Sequence, residues 1–201
     1  MLARPTVRFA TCNQTGQYHQ WSSAYTGLVV KSKKRNAVIA DNALRAEKPG
    51  LLFVQHVEHG KQLVKDLAAA GVRAEFVWGT HSLAWRRSHI KRLIQGHFDI
   101  LVCSTIFNEG IDIPELRSIV LGAGGKSVIA ALQRAGRGMR VDRKADGTVR
   151  EGGDAFEVWD IYDVGNKWTE RHAKERLGAY QGEGYQTFIE PESVASFARG
   201  K

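Results

Sequence analysis

From about residue 50 onward, apolar runs of strand length alternate with stretches whose apolar positions recur at helical spacing. The runs at 51–55, 74–78, 100–104, 118–122 and 156–161 predict strands, and the spacing over 58–70, 83–95 and 127–135 predicts helices. Strands whose side chains are apolar on both faces must be covered on both, and a single helix between successive strands returns the chain in the same direction. This alternation therefore predicts an α/β, three-layer sandwich with a central, mainly parallel sheet and right-handed crossovers. Sheets of this kind carry their ligand-handling loops beyond the carboxyl ends of the strands. The loops so placed are residues 104–114, residues 123–126 and the segment that closes the helix after them.

Ahead of the sheet, residues 21–47 have a helical pattern bearing Lys31, Lys33, Lys34 and Arg35, stopped by Lys48-Pro49-Gly50. Residues 1–20 show no clear period and fit a strand carried over from something upstream. The chain then divides into a lead-in at 1–48, the α/β domain at 49–190 and a tail at 191–201. Residues 142–154, with Gly147, Gly152 and Gly153 among charges, fit an exposed insertion or hairpin. A length of 201 residues suits one domain, two at most. The net charge of +8 favours polyanionic partners such as nucleic acid, against the plainer reading of a charge that serves solubility. Cys12 and Cys103 lie far apart and form no local metal knuckle, which suits a reduced, intracellular protein. No apolar stretch approaches a membrane span and no signal-peptide core opens the chain, so a cytoplasmic location and no membrane partner are expected.

Residues 133–140 read Gln-Arg-Ala-Gly-Arg-Gly-Met-Arg. On a helix, Gln133, Arg137 and Arg140 fall at i, i+4 and i+7 on one face. Guanidinium groups are planar, permanently charged and fork onto phosphate oxygens. Gly136 and Gly138 permit close backbone approach beside them. A solvated basic helix would explain the arginines but neither Gln133 nor the glycines.

Ser104-Thr105-Ile106-Phe107-Asn108-Glu109-Gly110-Ile111-Asp112-Ile113-Pro114 completes a pattern with this segment. A strand, a threonine, Gly-Ile-Asp-Ile-Pro, a further strand and helix, and then Gln-x-x-Gly-Arg-x-x-Arg resemble motifs V and VI of the superfamily 2 helicases and translocases. Leu51-Leu52-Phe53-Val54-Gln55 resembles motif IV, and Gly79 with Arg86 fits the next strand-to-helix loop. The resemblance covers residues 25–165 and implies a RecA-like fold. Gly124-Gly125-Lys126-Ser127 is closest to the branch holding restriction-enzyme motor subunits and phage recombination helicases. Gln133, where the best-known RNA helicases carry histidine, leans toward DNA.

The resemblance implies that residues 1–48 lead in from an upstream RecA-like domain, a partner that holds ATP and Mg²⁺. In this family the P-loop and the acidic metal-binding motif belong to that first domain. Gly125-Lys126-Ser127 could end a P-loop, but the position of its first glycine is Val120, within a predicted strand. Asp160 and Asp163 on the last predicted strand lack the company an acidic metal motif needs. The chain alone is therefore expected to be inactive and to hold no cofactor or metal.

Residue roles follow from the same resemblance. Arg137 and Arg140 reach the γ-phosphate, one of them as the arginine finger, and Gln133 orients water or the phosphate edge. Gly110 lets the backbone near the nucleotide, and Asp112 accepts from the ribose or from an arginine of motif VI. For Asp112 the plainer reading is an Asx turn onto Ile113-Pro114. Thr105 contacts a nucleic-acid phosphate, against a plainer reading as a cap. Gln55, His56, Gly79, Thr80 and Arg86 lie on the same rim as further nucleic-acid contacts. Phe53, inside an apolar strand, belongs to the core. His56 and His59 lack the ligand company of a metal site and suit surface or capping roles. The competing reading is a nonenzymatic nucleic-acid-binding module with the same fold.

Overall fold

A computed structural model describes residues 5–104, 113–125 and 156–192. Its strands are β1 (Thr6–Asn13), β2 (Gly50–Val54), β3 (Ala74–Val77), β4 (Ile100–Ser104), β5 (Ser118–Leu121), β6 (Glu157–Val164) and β7 (Gln186–Glu190). They form one seven-stranded sheet in the order β3-β4-β2-β5-β6-β1-β7, and every pairing in it is parallel. The helices are α1 (Trp21–Tyr25), which continues as a π-helical turn (Thr26–Val30), α2 (Lys33–Arg45), α3 (Val57–Ala69), α4 (Leu83–Ile94) and α5 (Lys167–Gly182). The α/β sandwich expected from the alternation is what forms.

β2 shows why the apolar runs are unbroken. Leu51 and Phe53 point into one core with Val77, Leu93, Leu101, Ile119 and Tyr180. Leu52 and Val54 point into the other, with Ile39, Leu63, Leu67, Val102 and Val120. All five residues of the strand are buried, as a strand covered on both faces requires. α2 and α3 cover one face, and α4 and α5 cover the other. Phe53 is core, at 4 % exposure.

The structure departs from the expected division at residue 48. β1 lies inside the same sheet, pairing with β6 along its whole length and with β7 on its other side. α2 packs its Val38, Ile39 and Ala43 onto that sheet. Residues 6–45 are thus part of the domain, not a lead-in to it. Polar Thr6, Arg8 and Thr11 interrupt the apolar run of β1, which hid it from a reading by periodicity. The helical stretch at 21–47 is likewise broken, because the π-helical turn ends at Lys31 and Ser32 then caps α2 by accepting from the Arg35 N–H. The expected helix at 127–135, the hairpin at 142–154 and residues 193–201 of the tail lie outside the described residues.

Candidate functional site

Because the strands are parallel, their carboxyl ends share one edge. Val54 of β2 stands level with Ser104 of β4, and Val77 of β3 with Cys103. Gln55 and His56, the entrance to residue 105, and Trp78 to Thr80 therefore follow one another along the rim, with adjacent strands about 4.8 Å apart. Gln55, His56 and Thr80 are exposed, and Gly79 is half-buried. The chain leaves β2 toward β3 on one side of the sheet, whereas β6 follows β5 on the other. The rim between β2 and β5 is thus where a doubly wound sheet opens its crevice. Thr105, Gly110, Asp112, Gln133, Arg137 and Arg140 lie outside the described residues.

Arg86 is anchored in the loop it was expected to serve. Its Nε donates to the His81 carbonyl at 3.1 Å and its Nη2 to the Gly79 carbonyl at 3.0 Å. The guanidinium ties down the loop that carries Gly79 and Thr80. The reason is local: Arg86 sits one turn into α4 and reaches back over the β3–α4 connection. His56 occupies the N-cap position of α3 without a side-chain capping bond, and its ring lies 5.5 Å from that of Tyr25. His59 is buried, with Nε2 3.0 Å from the Asn36 Oδ1. Burial, reinforced by the charges of Arg35 and His56, pushes its pKa down to about 3. It is a neutral core histidine.

The loop after β5 is held by groups whose role the sequence reading missed. Asp160 and Asp163 are not on the last strand, and both are fully buried against arginines. Arg35, from α2 on one face, gives its Nε to Asp163 at 3.0 Å and its Nη1 to the Gly122 carbonyl at 2.6 Å. Arg176, from α5 on the other face, gives its Nε to Asp160 at 2.9 Å and its Nη1 to the Gly124 carbonyl at 3.0 Å. The two halves meet where Arg176 Nη2 lies 3.9 Å from Asp163. Tyr180 donates to Asp160 at 3.2 Å. Burial pushes the Tyr180 hydroxyl well up, and the neighbouring Asp160 adds to it. Gly124 has φ +64, and a Cβ there would lie 2.9 Å from the Arg35 guanidinium, so only glycine fits. Charges this deep persist only when paired and hydrogen-bonded. Here they pin both faces of the turn that leads toward residue 133.

Val120 lies in the middle of β5 with no exposure. The strand geometry leaves no room for the first bend of a P-loop. Among the described residues, no group of three or more histidines, cysteines or acids is placed to hold a metal, and no helix is long and apolar enough to cross a membrane.

The helicase conserved C-terminal domain family matches residues 33–142, just over half of the chain. The chain belongs to that family. This helicase C-terminal domain is 35 % identical over 95 residues to putative helicase 22 of a Sulfolobus islandicus filamentous virus, covering 47 % of the chain and 17 % of the viral protein. It is 29 % identical over 160 residues to the ATP-dependent DNA helicase uvsW of Enterobacteria phage T4, covering 77 % and 29 %. The crystal structure of T4 UvsW superposes on 95 % of the domain and 42 % of its own chain, with a TM-score of 0.71 at 20 % identity. That of the E. coli DEAD-box protein SrmB, bound to regulator of ribonuclease activity A, covers 98 % and 94 % with a TM-score of 0.58 at 17 % identity. The chain thus spans under a third of these two curated relatives. The RecA-like fold and the superfamily 2 assignment both hold.

Proposed function

We propose that this domain is the second motor half of an ATP-dependent helicase or translocase acting on DNA. The observation that carries the reading is the family match itself, because residues 33–142 contain both Gly110–Pro114 and Gln133–Arg140. In this reading an upstream RecA-like domain holds ATP and Mg²⁺. The lack of a P-loop bend at Val120 supports that division of labour.

Hydrolysis of ATP spreads negative charge over the γ-phosphate oxygens. Arg137 and Arg140 meet that charge from across a cleft, an effect worth about 10³ to 10⁵ in rate for an arginine finger. Gln133 orients the attacking water or the phosphate edge, while Gly110 and Asp112 line the nucleotide. Since the arginines and the P-loop sit on different bodies, hydrolysis proceeds only when the cleft closes. Arg35 and Arg176 clamp Gly122 and Gly124, in the turn that precedes this segment in the chain. Thr105 with Gln55, His56, Gly79 and Thr80 contacts the nucleic-acid backbone along the rim. Such contacts position the strand without reading its sequence, and they weaken steeply with salt. DNA as the substrate rests on Gln133 and on the likeness to a DNA helicase.

The test is Arg137→Ala in the protein that carries the upstream domain. The proposal expects ATP hydrolysis to fall by about 10³-fold or more, with DNA binding retained. Loss of binding with hydrolysis retained would favour a nonenzymatic binding module instead.

A further inference from the structure

Five rings run without a break from the edge strand of the sheet onto α4. Phe76 and Trp78 have centroids 4.9 Å apart, Trp78 and His81 3.9 Å, His81 and Trp85 5.4 Å, and Trp85 and His89 4.5 Å. Both ends of the row are structural, since Phe76 packs against Gly60 of α3 and His89 is buried. Trp85, between His81 and His89, is 49 % exposed, so its ring is open to solvent.

The column is held rigidly. Arg86 grips the carbonyls of Gly79 and His81, the Trp78 N–H donates to His81 Nδ1 at 3.3 Å, and Ser82 caps α4 by accepting from the Trp85 N–H at 3.2 Å. His89 Nδ1 lies 2.9 Å from the Trp85 carbonyl. Rings fixed in advance lose little freedom when a ligand stacks on them. Charge favours a polyanion: the chain carries a net charge of +8, and the first turn of α4 has no acidic residue. Trp78 is also one step past Val77 on the same rim as Gln55 and Ser104.

We infer that Trp85, backed by the His81–Trp78 column, is a stacking platform for the bases of single-stranded nucleic acid leaving the rim at Gly79 and Thr80. The inference rests on the nucleic-acid reading proposed above and adds base contact to its backbone contacts. Aromatic platforms hold single strands with little regard to sequence, because every base offers a flat face.

The experiment measures binding of the 201-residue chain at low salt to two probes, an oligothymidylate and an abasic phosphodiester strand of equal length. Trp85→Ala should weaken the oligothymidylate about tenfold and leave the abasic strand unchanged, while Trp85→Phe restores most of the loss. Unfolding in urea checks that the variants are folded, and Trp85→Gln replaces Trp85→Ala if it is not. Equal loss on both probes, or no loss on either, would overturn the platform and leave the rim reading standing; a surface for a protein partner would give the second result. If the unsubstituted chain bound neither probe, the nucleic-acid reading would fall and the platform with it.

Discussion

His59 is the residue where sequence and surroundings disagree most. Three positions from His56 and near the start of a helix, it has the spacing of a surface or ligand pair, yet it is 1 % exposed and bonded to Asn36. Its depressed pKa, down to about 3 from an ordinary 6.5, makes a prediction about stability. Above pH 6.5 the ring is neutral in both states, and its contribution to stability is fully present. As the pH falls from 6.5 toward 3 the unfolded chain takes up the proton while the folded chain refuses it. Stability then drops by up to about 1.4 kcal/mol per pH unit. Urea unfolding across this range should show the drop, and His59→Gln, which keeps a partner for Asn36, should flatten it relative to the unsubstituted chain. An identical slope for the two would show that His59 is charged when folded.

α5 is an element held by buried charge more than by an apolar stripe. Its inward face carries Thr169, His172, Ala173, Arg176 and Tyr180, so no apolar period marks it in the sequence. Arg176→Met should cost about 3 to 5 kcal/mol in urea unfolding, because it leaves Asp160 buried without its charge partner. Adding Asp160→Leu should recover much of that loss. A loss under about 1 kcal/mol in the single variant would show that Asp160 finds water or another partner. The elements that periodicity located were those whose side chains do the packing: β2 to β6, α3 and α4. β1 was obscured by Arg8 and Thr11, and β7, an edge strand with Phe188 and Ile189 exposed, has no alternation to detect. The same limit applied at the site. Motifs were legible because their residue types are tied to phosphate chemistry, whereas Arg35, Asp160, Asp163 and Arg176 act only as a set that the fold brings together from both faces of the sheet. Arg86 was found by spacing, but its grip on Gly79 and His81 depends on a turn that spacing does not describe.

At the scale of the whole molecule, the parallel strands bring their carboxyl ends to one rim, a strand runs where a P-loop would need to bend, and the turn at Gly122 and Gly124 is clamped from two sides. The proposed consequence is a divided catalytic site, one half of which must come from another domain. The most direct test is DNA-stimulated ATP hydrolysis, measured for this chain alone and for the protein in which the upstream RecA-like domain is joined to it. The account predicts no motor-like hydrolysis by the chain alone and robust, DNA-dependent hydrolysis once the two are joined. Hydrolysis at a motor-like rate by the chain alone, abolished by Lys126→Ala, would contradict it.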